Sequence, residues 1–103
     1  MIRVPKEREP QHPGEILLGD YLKPLGISQV QLAKSIGVTY ARLNELIHGK
    51  RNMTVDTALR LEKFFGVSAQ SWLNAQLRCD IYHVARAGKT VKALSKIRPM
   101  RAA

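Results

Sequence analysis

Residues 29–51 read QVQLAKSIGVTYARLNELIHGKR, and this stretch decides the architecture. Two short segments of helical apolar spacing, each opened by a hydroxyl residue suited to an N-cap (Ser28 and Thr39), are joined by Ile36-Gly37-Val38-Thr39. A turn of three to four residues containing Gly between two short helices is a helix-turn-helix. Ala33 is small where the helices cross, Gly37 permits the positive φ of the turn, and Val38 fills the space beneath it. Leu32, Ile36, Leu43 and Leu46 supply the shared core, with Val30 also directed inward.

On a helical wheel at about 100° per residue, Leu43, Leu46 and Ile47 fall on one side of the second helix. Ala41, Glu45 and His48 fall opposite, flanked by Arg42 and Asn44. An outer face of this kind suits the major groove: Arg42 can donate to guanine, Asn44 can pair with adenine, Ala41 can touch a thymine methyl, and Glu45 can accept from cytosine. Tyr40, at the N-terminal end, reaches a base edge or a phosphate. Gln29 and Thr39 at helix starts, with Lys50, Arg51 and Asn52 in the following loop, are the expected contacts to the DNA backbone.

Working outward, the same punctuation of caps and glycine stops predicts three further helices. One opens at His12-Pro13-Gly14-Glu15, buries Ile16, Leu17, Tyr21 and Leu22, and ends near Pro24 and Gly26. A second, capped by Thr54 and stopped by Gly66, carries Ala58, Leu59, Leu61, Phe64 and Phe65 as its buried residues. The last, capped by Ser68, runs to Tyr82 or slightly beyond. Five helices and no β alternation predict an all-α fold, with an N-terminal arm (1–11), a helix-turn-helix domain (12–84) and a basic C-terminal extension (85–103).

The 103 residues are about one compact domain. Lys plus Arg number 17 against 8 Asp plus Glu, a net charge of +9 that favours a polyanionic partner. Most of that excess lies in residues 83–103, which carry six basic side chains and no acidic one. No apolar run approaches the length of a membrane span, and no export signal is visible, so a cytoplasmic, non-membrane protein is expected. A single cysteine, Cys79, excludes an internal disulfide, and His12, His48 and His83 have no metal-ligand spacing, so no cofactor or metal is expected. Cys79 is a small core or interface residue, His12 and Glu15 belong to a helix start, and His48 and His83 lie on the surface. An enzyme is not expected, since the sequence carries no nucleophile-base pair and no phosphate-binding Gly-rich loop.

Gln29-x-x-Leu32-Ala33-x-x-Ile36-Gly37-Val38-Thr39, followed by Leu43-x-x-Leu46-Ile47-x-Gly49-Lys50-Arg51, resembles the Xre/Cro (lambda repressor-like) helix-turn-helix family. Within it, His12-Pro13-Gly14-Glu15, Thr57-Ala58-Leu59-Arg60-Leu61 and Trp72-Leu73-Asn74-Ala75-Gln76 are similar to the HigA antitoxin subfamily, also called VapI-like regulators. The resemblance covers about residues 12–82. It implies a homodimer that binds double-stranded operator DNA, a palindrome before its own genes, and neutralises a ribosome-dependent mRNA endonuclease, a HigB-like toxin. Two departures are the Cys79-Asp80 pair, where such proteins often carry an aromatic-Asp pair, and the basic tail from Arg86 to Arg101.

The last helix carries more apolar surface than one small bundle needs, and Trp72, Leu73, Leu77, Ile81 and Tyr82 are the expected dimer interface. In the tail, Val91, Leu94 and Ile97 recur at helical spacing among lysines and arginines. Three readings stand for it: a frayed, solvated extension, an arm on phosphates, or a segment that folds on a partner. The competing function is a solitary Xre-family transcriptional regulator with no toxin, which shares every DNA-binding residue. The positive tail favours that alternative mildly, because it would repel a basic ribonuclease.

Overall fold

The computed structural model describes residues 8–100. Among them every regular element is helical. Helix α1 spans residues 13–25 and is composite: an α-helical turn Pro13–Ile16, a π-helical stretch Leu17–Leu22 and a last turn Lys23–Leu25. It is followed by α2 (Gln29–Ile36), α3 (Tyr40–Ile47), α4 (Val55–Phe65), α5 (Ala69–Arg86) and α6 (Gly88–Ser95). Pro24 lies inside the last turn of α1, and the widened π turns before it give its ring room that a regular α-helix lacks.

The local signals act where they stand in the sequence. Ser28, Thr39, Thr54 and Ser68 each accept from the backbone N–H three residues on, and His12 Nδ1 accepts from Gly14 N–H at 2.9 Å. Each such cap contributes about 1 kcal/mol by satisfying a donor the helix cannot pair internally. Gly37 ends α2 at φ +73° and turns the chain directly into the α3 cap.

The core gathers around the α2–α3 pair. Leu17, Leu22, Leu32, Leu43, Leu61 and Pro13 are fully buried, joined by Ala33, Ile36, Leu46, Ile47 and Ala58. The Tyr21 ring lies between Phe65 and Trp72, with centroids 5.1 and 5.2 Å away. Three expected core residues face outward instead: Val30 is 51% exposed, Leu59 53%, and Phe64 42%. Val30 and Leu59 sit well round their helices from Leu32 and Ala58, and α2 and α4 each bury a single stripe; Phe64 is at the margin, its ring edge-on to Phe65.

Two boundaries also differ from expectation. Helix α5 continues to Arg86, and a sixth helix forms in the basic tail, where five were expected in all. On α6, Thr90, Val91 and Leu94 fall on one side and Lys89, Lys92 and Lys96 on the other. Thr90 and Leu94 on that side face Ile81 and Val84 of α5 across an open groove.

Candidate nucleic-acid interface

Helix α3 is positioned by Leu43, Leu46 and Ile47, all buried, so its opposite face is turned out of the bundle. Tyr40 is 51% exposed at its start, with Ala41 exposed beside it and His48 exposed at its end. Asn44 donates to Gln29 Oε1 at 3.0 Å, tying the start of α2 to the middle of α3, and lies 3.5 Å from the Tyr40 hydroxyl. Glu45 accepts from Arg51 Nε at 3.0 Å and from its terminal nitrogen at 2.6 Å. Gln29, Tyr40, Asn44, Glu45 and Arg51 are thus brought together on one side of the molecule.

Arg42 behaves differently from the expected guanine reader. Its guanidinium turns toward α4, donating to Asp56 Oδ2 at 3.0 Å and Thr57 Oγ1 at 2.7 Å. Asp56 also accepts from Arg60 Nε at 2.9 Å, and Arg60 donates onward to the carbonyls of Ile36 and Gly37 at 2.8 and 3.3 Å. The hydrogen bonds from Arg60 and then Arg42 hold the Asp56 carboxyl below the usual carboxylate range. Sequence reading missed Asp56, Thr57 and Arg60 as parts of this surface; the spacing of Asp56 and Arg60 along one helix was visible, but the link to Arg42 was not.

Of the expected backbone contacts, Thr39 caps α3 through its hydroxyl, while Lys50 is exposed and forms no ion pair among the described residues. Asn52 accepts from Gln76 Nε2 at 3.3 Å. The same Gln76, buried on α5, accepts from Met53 N–H at 2.8 Å and donates to Asp80 at 2.9 Å. It anchors the loop after α3 to the long helix, a role no local sequence signal announced.

The expected interface residues on α5 divide. Trp72 is 2% exposed and spent in the core of its own chain, which removes it from any partner surface. Leu73 and Tyr82 are half-buried, with the Arg86 guanidinium 3.8 Å above the Tyr82 ring. Leu77 and Ile81 are exposed, and Ile81 with Val84 lines an open groove whose other side is Thr90 and Leu94 of α6. Cys79 is buried, and its thiol donates to the Gln11 carbonyl at 3.1 Å; burial and then the nearby Asp80, Glu15 and Glu9 push its pKa up. His83 pairs with Glu9 at 2.8 Å. Among the described residues no three His, Cys, Asp or Glu side chains gather to hold a metal ion, and no helix is long and apolar enough to cross a membrane.

Comparison with known proteins places this geometry in context. Residues 18–72 match the helix-turn-helix family. Virulence-associated protein I of Dichelobacter nodosus is 53% identical over 70 residues, which cover 68% of this chain and 65% of that relative's length. An uncharacterized HTH-type transcriptional regulator of Escherichia coli strain K12, YbaQ, is 36% identical over 90 residues, 87% of this chain and 80% of that protein. Among solved structures, the Pseudomonas aeruginosa antitoxin HigA with the higBA promoter superposes with a TM-score of 0.83 at 32% identity, covering 89% of this chain and 99% of that one.

Proposed function

The chain belongs to the helix-turn-helix family, and from its similarity to a HigA antitoxin we propose that it is the antitoxin of a type II toxin-antitoxin pair. In this reading a homodimer binds a palindromic operator, represses its own operon and neutralises a HigB-like mRNA endonuclease. The exposed outer face of α3, held clear of the core and followed by the exposed Lys50 on a chain of net charge +9, carries the operator-binding part of this reading, and the likeness to the HigA antitoxin supports the rest. Tyr40, Ala41, Asn44 and Glu45 read bases, and Gln29, Thr39, Lys50, Arg51 and Asn52 meet the phosphate backbone. The two-fold contact runs along Leu77, Ile81 and Tyr82, with Leu73 at its edge. The protein acts by occupancy in the cytoplasm, needs no cofactor and performs no catalysis.

The test is co-expression of the tagged chain with the small open reading frames flanking its gene, together with a gel shift on the DNA upstream of that gene. Copurification of a neighbour that is toxic alone and harmless in the pair, with retention of the upstream duplex, is the expected result. The second reading, a solitary regulator, draws on the likeness to a protein named as a transcriptional regulator and on the basic α6, which would repel a basic ribonuclease. Retention of the duplex with no toxic or copurifying neighbour would establish that reading instead.

A further inference from the structure

Arg42 on α3, Asp56 and Arg60 on α4, and the Ile36 and Gly37 carbonyls at the end of α2 form one continuous chain of charge-assisted hydrogen bonds. We propose that this chain is a clamp that sets the tilt of α3, with Asp56 at its centre, and that Arg42 is a positioning residue rather than a reader of bases. The inference rests on the reading that α3 enters the DNA groove. It changes which residues carry specificity within that groove.

Two costs keep Arg42 where it is. Thr57 is buried, and its hydroxyl oxygen accepts from Arg42 at 2.7 Å and from the Thr54 hydroxyl at 3.2 Å; swinging the guanidinium to a guanine breaks the shorter, charge-assisted bond of the two. The same movement strips one of two cations from Asp56, leaving a partly uncompensated carboxylate close to a polyanion. The clamp also crosses the helix-turn-helix itself. Arg60 reaches the carbonyls at the C-terminal end of α2, where the helix dipole favours a cation, and a Cβ at Gly37 would stand 3.1 Å from its terminal nitrogen. A side chain at Gly37 would push the end of Arg60 aside by a few tenths of an ångström, in addition to the strain of its positive φ.

The sign of one substitution separates this account from simple electrostatics. Removing a negative charge from a DNA-binding surface tightens binding to every duplex if charge alone matters. The clamp predicts the opposite for specific binding. The probe is the duplex most enriched by the wild-type chain from a pool randomised over about 20 base pairs, enough for two half-sites one helical turn apart. Against it, Asp56→Asn is expected to bind about tenfold more weakly, the cost of about one mismatched base pair, while binding to an unselected duplex is unchanged or tighter. Arg42→Ala is expected to lose affinity for all single-base variants of the probe alike, keeping the base preference, and Arg42→Lys to recover part of the loss through its retained cation.

Each protein is assayed at a temperature where circular dichroism shows it fully folded. Asp56 is exposed, so its variant is expected to fold; should Arg42→Ala fold poorly, the Asp56→Asn and Arg42→Lys arms decide. Preference relaxed at a single base position in Arg42→Ala would overturn the proposal alone, as would tighter binding of the probe by Asp56→Asn. A wild-type chain that enriches no sequence would sink the groove reading and the proposal with it.

Discussion

At Gly14 the first helix passes so close to the end of α3 that a Cβ would stand 2.7 Å from the Leu46 carbonyl carbon and 2.8 Å from Ile47 Cα. Backbone cannot yield as a flexible side chain does, so Gly14→Ala is expected to cost about 2–3 kcal/mol. Thermal denaturation would show this as a fall in Tm of about 10 °C or more; an unchanged Tm would mean that α1 and α3 are not packed this closely. The neighbouring His12 is held below its ordinary pKa of 6.5, chiefly by desolvation, which outweighs the acids Glu15 and Asp80. Its neutral Nδ1 caps α1, and Nε2 is buried with no partner among the described residues. Because the folded pKa lies below the unfolded one, the stabilisation is complete above pH 6.5 and is lost as pH falls through the folded value. Wild-type Tm is therefore expected to drop between pH 7 and pH 5 by more than that of His12→Asn, which keeps a cap and cannot take up the proton. Parallel pH profiles for the two proteins would remove His12 from this role. The caps and turn glycines were legible in the sequence because each acts within three residues of itself. The turning of Arg42 toward Asp56 was not, because a long side chain chooses among partners that only the packing of two helices brings within reach.

At the scale of elements, α6 stands apart from the five helices before it. It has no side-chain cap, none of its residues is buried, and its main packing among the described residues is against α5. An eight-residue helix has little stability of its own, so amide hydrogens of α6 are expected to exchange fastest among the helices. Protection in α6 equal to that of α4 in the free chain would show a contact beyond α5. The loop after α3 offers a complementary test of the groove reading: Lys50→Ala is expected to weaken all duplexes similarly and to lower the slope of log affinity against log salt by about 0.9. A loss confined to particular sequences would place Lys50 on a base instead. Helical periodicity found the α2–α3 unit because its inward positions, Leu32, Ala33, Ile36, Leu43, Leu46 and Ile47, are all apolar. It misjudged Val30, Leu59 and Phe64, since a chain this small buries one stripe per helix and leaves the next apolar position in water.

For the molecule as a whole, the row of exposed Leu77 and Ile81, with the half-buried Tyr82 and Leu73 beside it, is the surface on which the two-fold assembly is proposed to form. Sedimentation at tens of micromolar is expected to give a dimer, and Ile81→Glu, which places a charge on that row, to give a monomer that stays folded. A dimer unaffected by that charge would move the interface elsewhere. The sequence could announce surplus apolar surface on the last helix, but not that Trp72 would be consumed by Tyr21 and the rest of its own core. In the proposed assembly α3, presented twice by such a dimer, reads DNA. Selection of duplexes from a fully randomised pool tests it most directly. An enriched inverted repeat whose half-site centres lie about 10 base pairs apart, or a multiple of that, is the predicted result. Enrichment of no sequence, with binding that follows salt alone, would contradict it.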